Sequence, residues 1–292
     1  MKTLNRESLT GTIMVLLSAV CFSIAGVLIK LVPWTSMSIQ GIRSIFSFIV
    51  IGIYMLITHE KFVINKTVIF GAICNTVMAL SFVMANKMTT AANAIVLQFT
   101  EPVFVILLMW ALYKKKPGKE AVVTCVVVMC GILCFFFESL SSGGMAGNLL
   151  AIFSGFTYAL VMMMKEFPGA SFESSLMISN VISMFIGIPS YMKETDNSWT
   201  VWIAILVLGV VQFGFSYIFL SRGLDRVTPV TASLTSTIEP ILNPILVAVF
   251  YGETVGVLAL VGAVLVVGSA TAYNLMEAGK SEKNEGAAAE KV

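Results

Sequence analysis

Two glutamates stand at matching places in two stretches of the chain, each inside a long apolar run and directly before a proline. The stretches are 90–102 and 228–240, and an offset of 138 positions pairs Glu101 with Glu239. The same offset pairs Thr90 with Thr228, Asn93 with Thr231, Ala94 with Ala232, and Gln98 with Ser236. A carboxylate inside a bilayer is costly unless it has a partner or water. The chemistry that such residues suggest is binding of a cationic group or exchange of a proton.

The polar residues of each stretch share one helical face with its glutamate. Counted back from Glu101 or Glu239, offsets of 3, 8 and 11 residues lie near multiples of the helical repeat of 3.6. These offsets hold Gln98, Asn93 and Thr90 in the first copy, and Ser236, Thr231 and Thr228 in the second. A proline inside a helix frees a backbone carbonyl, which a membrane tolerates only beside protein or water. Both stretches are therefore predicted to face protein or a cavity.

Further residues within the apolar runs could bind a substrate or compensate a charge. They fall in pairs at offsets of 136 or 137 positions: Phe22 with Tyr158, Asn75 with Gln212, and Phe82 with Phe219. Arg43 is a third buried charge. Two interpretations stay open: Glu101 and Glu239 bond to Arg43 or to freed carbonyls and brace the helices, or they bind substrate or protons.

Composition restricts the class of protein. Of the 292 residues, 58% are hydrophobic and 12% are charged, whereas soluble domains have about 25% charged residues. The mean hydropathy is +0.93. These values predict a polytopic membrane protein whose solvent is the lipid bilayer and which has no nucleic-acid partner.

The sequence contains no recognisable catalytic or metal-binding constellation. The five cysteines lie in apolar runs without a Cys-x-x-Cys pair, and the single histidine, His59, ends an apolar run. No Gly-x-x-x-x-Gly-Lys phosphate loop is present. We therefore expect no enzymatic activity, no cofactor and no metal.

Ten apolar segments are long enough to cross about 30 Å of hydrocarbon, which takes about 20 residues. They are 10–31, 37–58, 67–86, 90–112, 119–137, 147–165, 173–192, 200–220, 228–250 and 255–275. With the N-terminus inside, fourteen Lys and Arg residues fall on the cytoplasmic side and three on the other. This bias predicts that both termini are cytoplasmic, in a plasma membrane such as that of bacteria.

The repeat divides the chain into two units of five helices. Residues 1–138 form the first unit, 139–146 a linker, 147–276 the second unit, and 277–292 a polar tail predicted to be disordered. Because each unit crosses the membrane an odd number of times, the second unit is predicted to be inverted relative to the first.

This organisation resembles the drug/metabolite transporter superfamily, EamA type. The resemblance rests on the ten helices in two halves, the Glu-Pro pairs at Glu101 and Glu239, and Arg43 in the second helix. The run 85–94 with its counterpart 223–232, and Gly262 with Gly268, are similar as well. It implies an all-α bundle of inverted repeats around a central cavity, with helices 1–4 and 6–9 as walls and helices 5 and 10 apart.

The resemblance also implies transport, often export, of amino acids or other small metabolites. The chain departs from the family in having Phe22 where a tryptophan is common. It also has no Lys or Arg in 228–250, where sugar-phosphate members carry basic residues, which disfavours phosphorylated substrates.

The predicted function is secondary transport by alternating access, driven by a gradient and directed outward, with protons as a candidate coupling ion. The alternatives are a receptor or scaffold that does not transport, and a member of the superfamily that imports a small organic cation or a nucleoside. The sequence leaves the oligomeric state open.

Overall fold

The computed structural model describes residues 6–89, 91–136, 144–242 and 257–289. The helices are, in chain order, α1 (Arg6–Phe22), α2 (Ala25–Leu31), α3 (Ser36–Thr58), α4 (Lys66–Met88), α5 (Ala91–Gln98), α6 (Glu101–Tyr113), α7 (Lys119–Phe136), α8 (Met145–Met162), α9 (Phe172–Tyr191), α10 (Trp199–Val207), α11 (Ser216–Leu224), α12 (Pro229–Ser236) and α13 (Val257–Ala289). A π-helical segment, Leu208–Phe215, joins α10 to α11. These ranges contain no β-strand.

The helices of these ranges form ten spans, which we number in chain order. Spans 2, 3, 5, 6, 7 and 10 are α3, α4, α7, α8, α9 and α13. Span 1 consists of α1 and α2, span 4 of α5 and α6, and span 8 of α10, the π-helical segment and α11. Span 9 begins with α12 and the helical residues 239–242. In the described part of the chain, seven spans are long and apolar enough by themselves to cross a membrane, namely spans 1–4 and 6–8.

Side-chain caps fix where several spans begin. The Thr35 hydroxyl accepts from the Ser38 N–H at 3.3 Å at the start of α3. Thr228 caps α12 in the same way, and Pro229 occupies its first turn. Proline costs nothing there because the first N–H groups of a helix have no intrahelical partner. The helix thus begins one residue after the start of the apolar segment predicted at 228–250.

Spans 4 and 9 are both interrupted directly before their glutamate and proline. Phe99 and Thr100 separate α5 from α6, and a turn likewise precedes Glu239. Pro102 has no N–H to donate to the carbonyl of Gln98, and Gly155 of span 6 packs against this carbonyl so closely that a Cβ would overlap it. A neighbouring helix therefore covers the freed carbonyl, as the sequence predicts. Pro244 and Thr90 lie outside the described residues.

The packing of the spans is the same when the two halves are exchanged. Span 1 packs on span 8 as span 3 packs on span 6. Gly11 allows the first contact, because a Cβ there would lie 3.3 Å from the Gly223 carbonyl oxygen, and Gly147 allows the second against Met88. Gly11 and Gly147 are themselves a repeat pair. The halves are therefore related as inverted repeats.

Span 2 of the first half packs across span 7 of the second half, and span 5 packs against span 10. A Cβ built at Gly41 would lie 2.5 Å from the Cα of Gly187, so the first crossing is backbone against backbone. Where spans 5 and 10 pack together, Gly131 lies against Gly262. Gly268, which corresponds to Gly131 in the repeat, faces open space.

The ends of the second unit differ in detail from the predicted boundaries. Span 6 begins at Met145, within the predicted linker, of which 139–143 lie outside the described residues. Span 10 continues to Ala289, past the predicted start of the tail. The helix formers Glu, Lys and Ala of this segment account for the continuation. Disorder of the tail stays a prediction.

Candidate functional site

A small cavity lies between the two halves. Seven residues that the sequence singles out line it: Phe22, Arg43, Phe82, Gln98, Tyr158, Gln212 and Glu239. Five others complete it: Ala25, Met78, Ala79, Phe213 and Tyr217. Its volume is about 30 Å³, whereas ligand pockets have about 300–1,000 Å³. This conformation therefore has room for water molecules at the site but not for a metabolite.

Apolar clusters close the bundle on both sides of the cavity. Towards the side on which α1 begins, a cluster includes the fully buried Met162 and Phe172. On the opposite side, a second cluster includes Trp34 and Ile205, and the Trp34 indole donates to the Asp196 carbonyl at 2.7 Å. Among the described residues, apolar side chains thus pack on either side of the small cavity.

Arg43 has only 1% of its surface exposed and lies against neutral groups. Its Nε donates to Oε1 of Gln40 at 3.0 Å, and one terminal nitrogen donates to Oε1 of Gln212 at 3.1 Å. The guanidinium carbon lies 4.5 Å from the centroid of the Phe213 ring. Charge-assisted hydrogen bonds and a cation–π contact stabilise the buried charge, but within the described residues no carboxylate forms an ion pair with it.

The interpretation in which the glutamates bond to Arg43 is not what the structure shows. The ion pairs among the described residues are Lys115 with Glu166 and Lys165 with Asp225, both at the surface. Glu101 instead accepts a hydrogen bond from Ser233 of span 9 at 2.7 Å and is fully buried outside the cavity. Glu239 lines the cavity, and its Oε2 is buried without a hydrogen-bond partner. The cavity therefore carries one cationic and one acidic side chain that are not paired with each other.

Aromatic rings form the wall between the polar residues of the cavity. Phe22 meets Tyr217 edge to face with centroids 5.2 Å apart, and Tyr158 with centroids 6.4 Å apart. Tyr217 also packs on Phe213 at 4.9 Å. Its hydroxyl donates to Oδ1 of Asn75 at 2.6 Å, which joins span 8 to span 3. These rings offer an apolar surface whose polar tips are held in place.

Four sequence candidates besides Glu101 lie away from the cavity lining. Asn75 does not line the cavity, and its Nδ2 donates to the Ser179 hydroxyl at 2.9 Å. Asn93 donates to Asn148 at the far end of span 6, at 3.3 Å. Ser236 bonds within its own helix, to the Ala232 carbonyl. Phe219 packs on Phe215 with centroids 6.5 Å apart.

Sequence reasoning missed Phe213 as a cavity residue, and of Tyr217 it indicates only a hydroxyl within an apolar run that favours a polar centre. Phe213 directly follows Gln212, and in a regular helix consecutive side chains diverge by about 100°. A π-helix turns through a smaller angle per residue than an α-helix does. In this segment the side chains of both Gln212 and Phe213 therefore contact Arg43. The one signal in the sequence was that Gln212, Phe213 and Tyr217 follow one another within six positions of an apolar run.

Comparison with known proteins agrees with this fold. An uncharacterized transporter of Archaeoglobus fulgidus is 22% identical over 258 residues, which cover 88% of this chain and 93% of the relative. YwfM of Bacillus subtilis, also an uncharacterized transporter, is 26% identical over 198 residues, or 64% of this chain and 65% of its own. A protein of known crystal structure superposes with a TM-score of 0.76 at 15% identity, over 94% of this chain and 99% of that one.

The family follows from the two halves separately. The sequence profile of the EamA-like transporter family matches residues 9–137 and matches again at residues 145–275. Together the two matches cover nearly all of the chain that forms the ten spans. The protein therefore belongs to the EamA-like transporter family.

Proposed function

We propose that this protein is a secondary transporter that carries small zwitterions, amino acids first among them, across the plasma membrane by alternating access. One observation carries the proposal: Arg43 and Glu239 line the same cavity between the halves and form no ion pair with each other. A ligand with a carboxylate and an ammonium group would give each of them an opposite charge. Unpaired buried charges are costly, so such a ligand has a large binding free energy to gain.

The aromatic wall supports a substrate with an apolar part. Phe22, Tyr158 and Tyr217 surround the space between the charged groups. An amino acid with an aliphatic or aromatic side chain would place that side chain against these rings, while the two charged side chains would fix its orientation.

A small organic cation is the second candidate, because Glu239 beside aromatic rings is a typical cation-binding arrangement. Arg43 in the same cavity opposes it, since a ligand with one positive charge would leave the guanidinium unpaired and repel it. The zwitterion satisfies both charges, and we therefore favour it.

In the transport cycle that we propose, this conformation with its small cavity is the occluded midpoint. The halves would rock about the crossing of spans 2 and 7 and open the cavity first to the cytoplasm and then to the outside. The outward direction and the cytoplasmic termini follow the resemblance and the distribution of Lys and Arg. Proton exchange at Glu239 is the coupling step that we propose.

Counterflow in proteoliposomes tests this function. Vesicles preloaded with one unlabelled amino acid should accumulate the same amino acid in labelled form, and the Arg43→Lys variant in equal amount should not. Efflux from dipeptide-fed cells, with and without the protein, tests the direction. Counterflow of an organic cation such as choline, without counterflow of any standard amino acid, would overturn the zwitterion and favour the second candidate.

A further inference from the structure

The π-helical segment Leu208–Phe215 sits at the cavity and has no counterpart in the other half. Span 3, which corresponds to span 8 in the repeat, is one continuous α-helix, Lys66–Met88. The Ser216 hydroxyl donates to the carbonyl of Val211, five residues earlier, at 3.0 Å, and supports the widened turn from its end. π-Helical turns are rare and frequently occur at functional sites.

The segment packs tightly on span 2, which carries Arg43. A Cβ at Gly209 would lie 2.6 Å from the Arg43 carbonyl oxygen, and a Cβ at Gly214 would lie 2.9 Å from the Cβ of Val50. The two glycines thus let the wide segment lie directly against the helix that carries Arg43. A movement of this segment would therefore change the surroundings of Arg43 directly.

The same contact occurs in the other half, in an uncharged form. Offsets of 136 and 137 positions relate Arg43 to Ser179, Gln212 to Asn75, and Phe213 to Thr76. Asn75 donates to the Ser179 hydroxyl at 2.9 Å, and the Thr76 hydroxyl bonds to it at 2.9 Å. Two consecutive residues of span 3 therefore hold Ser179 as two consecutive residues of span 8 hold Arg43. The π-helical segment therefore occurs at the contact that contains the charged residue, Arg43.

The two amide partners of Arg43 are held differently. Gln40 lies one turn away on the same helix, and its Nε2 donates to Ser183 at 3.2 Å, so span 7 fixes it. Gln212 comes from the opposite half and bonds only through its Oε1 to the guanidinium in the contacts described here. A carboxylate is a stronger acceptor for a guanidinium than a neutral amide oxygen is. An arriving carboxylate would therefore displace Gln212 and leave Gln40 in place.

We propose that Gln212 is a positioning residue which occupies the carboxylate site on Arg43 in the occluded conformation, and that its displacement by substrate releases the π-helical segment of span 8. The inference rests on the proposed function for the identity of the displacing group. Binding of a carboxylate on span 2 would thereby loosen a helix of the opposite half. This is the coupling between site and movement that alternating access requires.

The test compares Gln212→Ala with Gln212→Glu by amide hydrogen exchange of the purified protein. Loss of the bond should raise the exchange rate of peptides from 208–216 by roughly ten-fold in Gln212→Ala, because a hydrogen bond to a charged group is lost. In Gln212→Glu a permanent carboxylate would pair with Arg43, so exchange should stay at or below the wild-type rate. Ser236→Ala is the matched control, since this buried hydroxyl bonds only within its own helix in the described contacts.

The same variants separate positioning from simple bracing when an amino-acid mixture is added. Wild-type exchange in 208–216 should rise towards that of Gln212→Ala, while Gln212→Glu should not respond and should lose counterflow. Counterflow should fall further in Gln212→Glu, whose carboxylate blocks Arg43, than in Gln212→Ala, which leaves Arg43 free. Equal damage to counterflow in both variants would overturn the positioning role.

Two outcomes distinguish this inference from the proposed function. An unchanged exchange rate of peptides from 208–216 in Gln212→Ala would refute the proposal that Gln212 holds the π-helical segment, whatever the protein transports. A raised rate in Gln212→Ala without any response of the wild type to the mixture, and without counterflow, would support the hold and refute amino acids as the displacing ligand.

Discussion

The two halves carry the same glutamate and proline at the same place in a broken span, yet the two carboxyl groups have different surroundings. Glu101 is fully buried and accepts a hydrogen bond from Ser233. Glu239 lines the cavity, and the hydrogen bonds of the described residues include none to its carboxyl group. Each glutamate has one buried oxygen without a partner, Oε1 in Glu101 and Oε2 in Glu239. We infer that one position braces the helices and the other meets the substrate. The two interpretations that the sequence leaves open can therefore both hold, one for each glutamate.

The two halves also differ at Ser233, the hydrogen-bond partner of Glu101, and at its repeat counterpart. The repeat offset of 138 relates Ser233, the partner of Glu101, to Ile95. Ile95 is buried in the apolar cluster around Trp34 and has no hydroxyl to donate. The first half thus has no hydroxyl at the position that corresponds to Ser233. A repeat preserves the position of a residue more strictly than it preserves its role.

The largest expected effect concerns Arg43, whose repeat counterpart in the other half is the uncharged residue Ser179. In Arg43→Lys the charge stays, but the fork that meets Gln40 and Gln212 is lost. Removing one partner from a buried charged contact costs about 2–5 kcal/mol, so KM for an amino acid should rise on the order of 100-fold. Ser179→Ala should leave KM near the wild-type value. Equal rises in both variants, measured by uptake kinetics, would break the comparison.

The next effect separates the two glutamates directly. Glutamine keeps the shape of the side chain but cannot titrate. Glu239→Gln should remove the pH dependence of transport and lower its rate, because an amide cannot exchange the coupling proton. Glu101→Gln should retain pH-dependent transport, because the amide oxygen can still accept from Ser233. The measurement is flux in proteoliposomes over a range of pH.

Two results of that measurement would contradict the division of roles. Unchanged pH-dependent flux in both variants would exclude a proton role for either glutamate. Loss of folded protein in both, seen by size-exclusion chromatography, would mean that Glu239 braces the helices as well.

A third effect concerns the crossing that holds the halves in register. In Gly41→Ala the new Cβ would lie 2.5 Å from the Cα of Gly187, so spans 2 and 7 must separate, at a cost of about 1–3 kcal/mol. Gly52→Ala in the same helix is the control, because its Cβ would meet only the Met177 methyl at 3.6 Å. Thermal unfolding should show a lower Tm for Gly41→Ala alone. A lower Tm in both variants would show that helix composition, rather than the crossing, matters.

Most of the fold could be predicted, because apolar length and helix caps are local properties. The segment predicted at 37–58 is observed as Ser36–Thr58, and that at 67–86 as Lys66–Met88. The repeat offsets then fixed which spans correspond. No local pattern encodes the crossing of Gly41 with Gly187, which only the packed bundle brings together.

The site was predicted in part. Arg43, Gln98 and Glu239 reach the cavity because polar residues in apolar helices turn away from lipid. Phe219, matched to Phe82 by counting along the chain, does not, because the π-helical segment before it changes the register of span 8. A count along the sequence assumes equal winding in both halves. The place of Glu101 escaped prediction for a different reason, since its stretch is nearly identical in pattern to that of Glu239.

The smallest effect concerns a surface corner at which the halves again differ by one charge. Thr35 and Ser38 begin span 2, and their repeat mates, Ser171 and Ser174, begin span 7. Glu194 accepts from the Ser38 hydroxyl at 2.6 Å and from the Thr35 N–H at 2.8 Å. At the corresponding corner of span 7, the Ser174 hydroxyl accepts a hydrogen bond from the Val63 N–H at 3.0 Å, so this contact is uncharged.

This difference predicts a pH dependence of stability at one corner only. Partial burial raises the pKa of the Glu194 carboxyl, but the hydrogen bonds from Ser38 and Thr35 and the charge of Lys87 outweigh it, so the pKa lies below its ordinary value. A lowered pKa contributes stability above the unfolded value of about 4.3, and that stability is lost as the pH falls through the folded pKa. Wild-type Tm should therefore fall more steeply below about pH 4.3 than the Tm of Glu194→Gln. Ser174→Ala should keep the wild-type slope, because the Ser174 hydroxyl bonds the Val63 N–H and the Ser171 hydroxyl and no carboxylate. Parallel curves for wild type and Glu194→Gln would show that the Glu194 carboxylate contributes nothing at its corner.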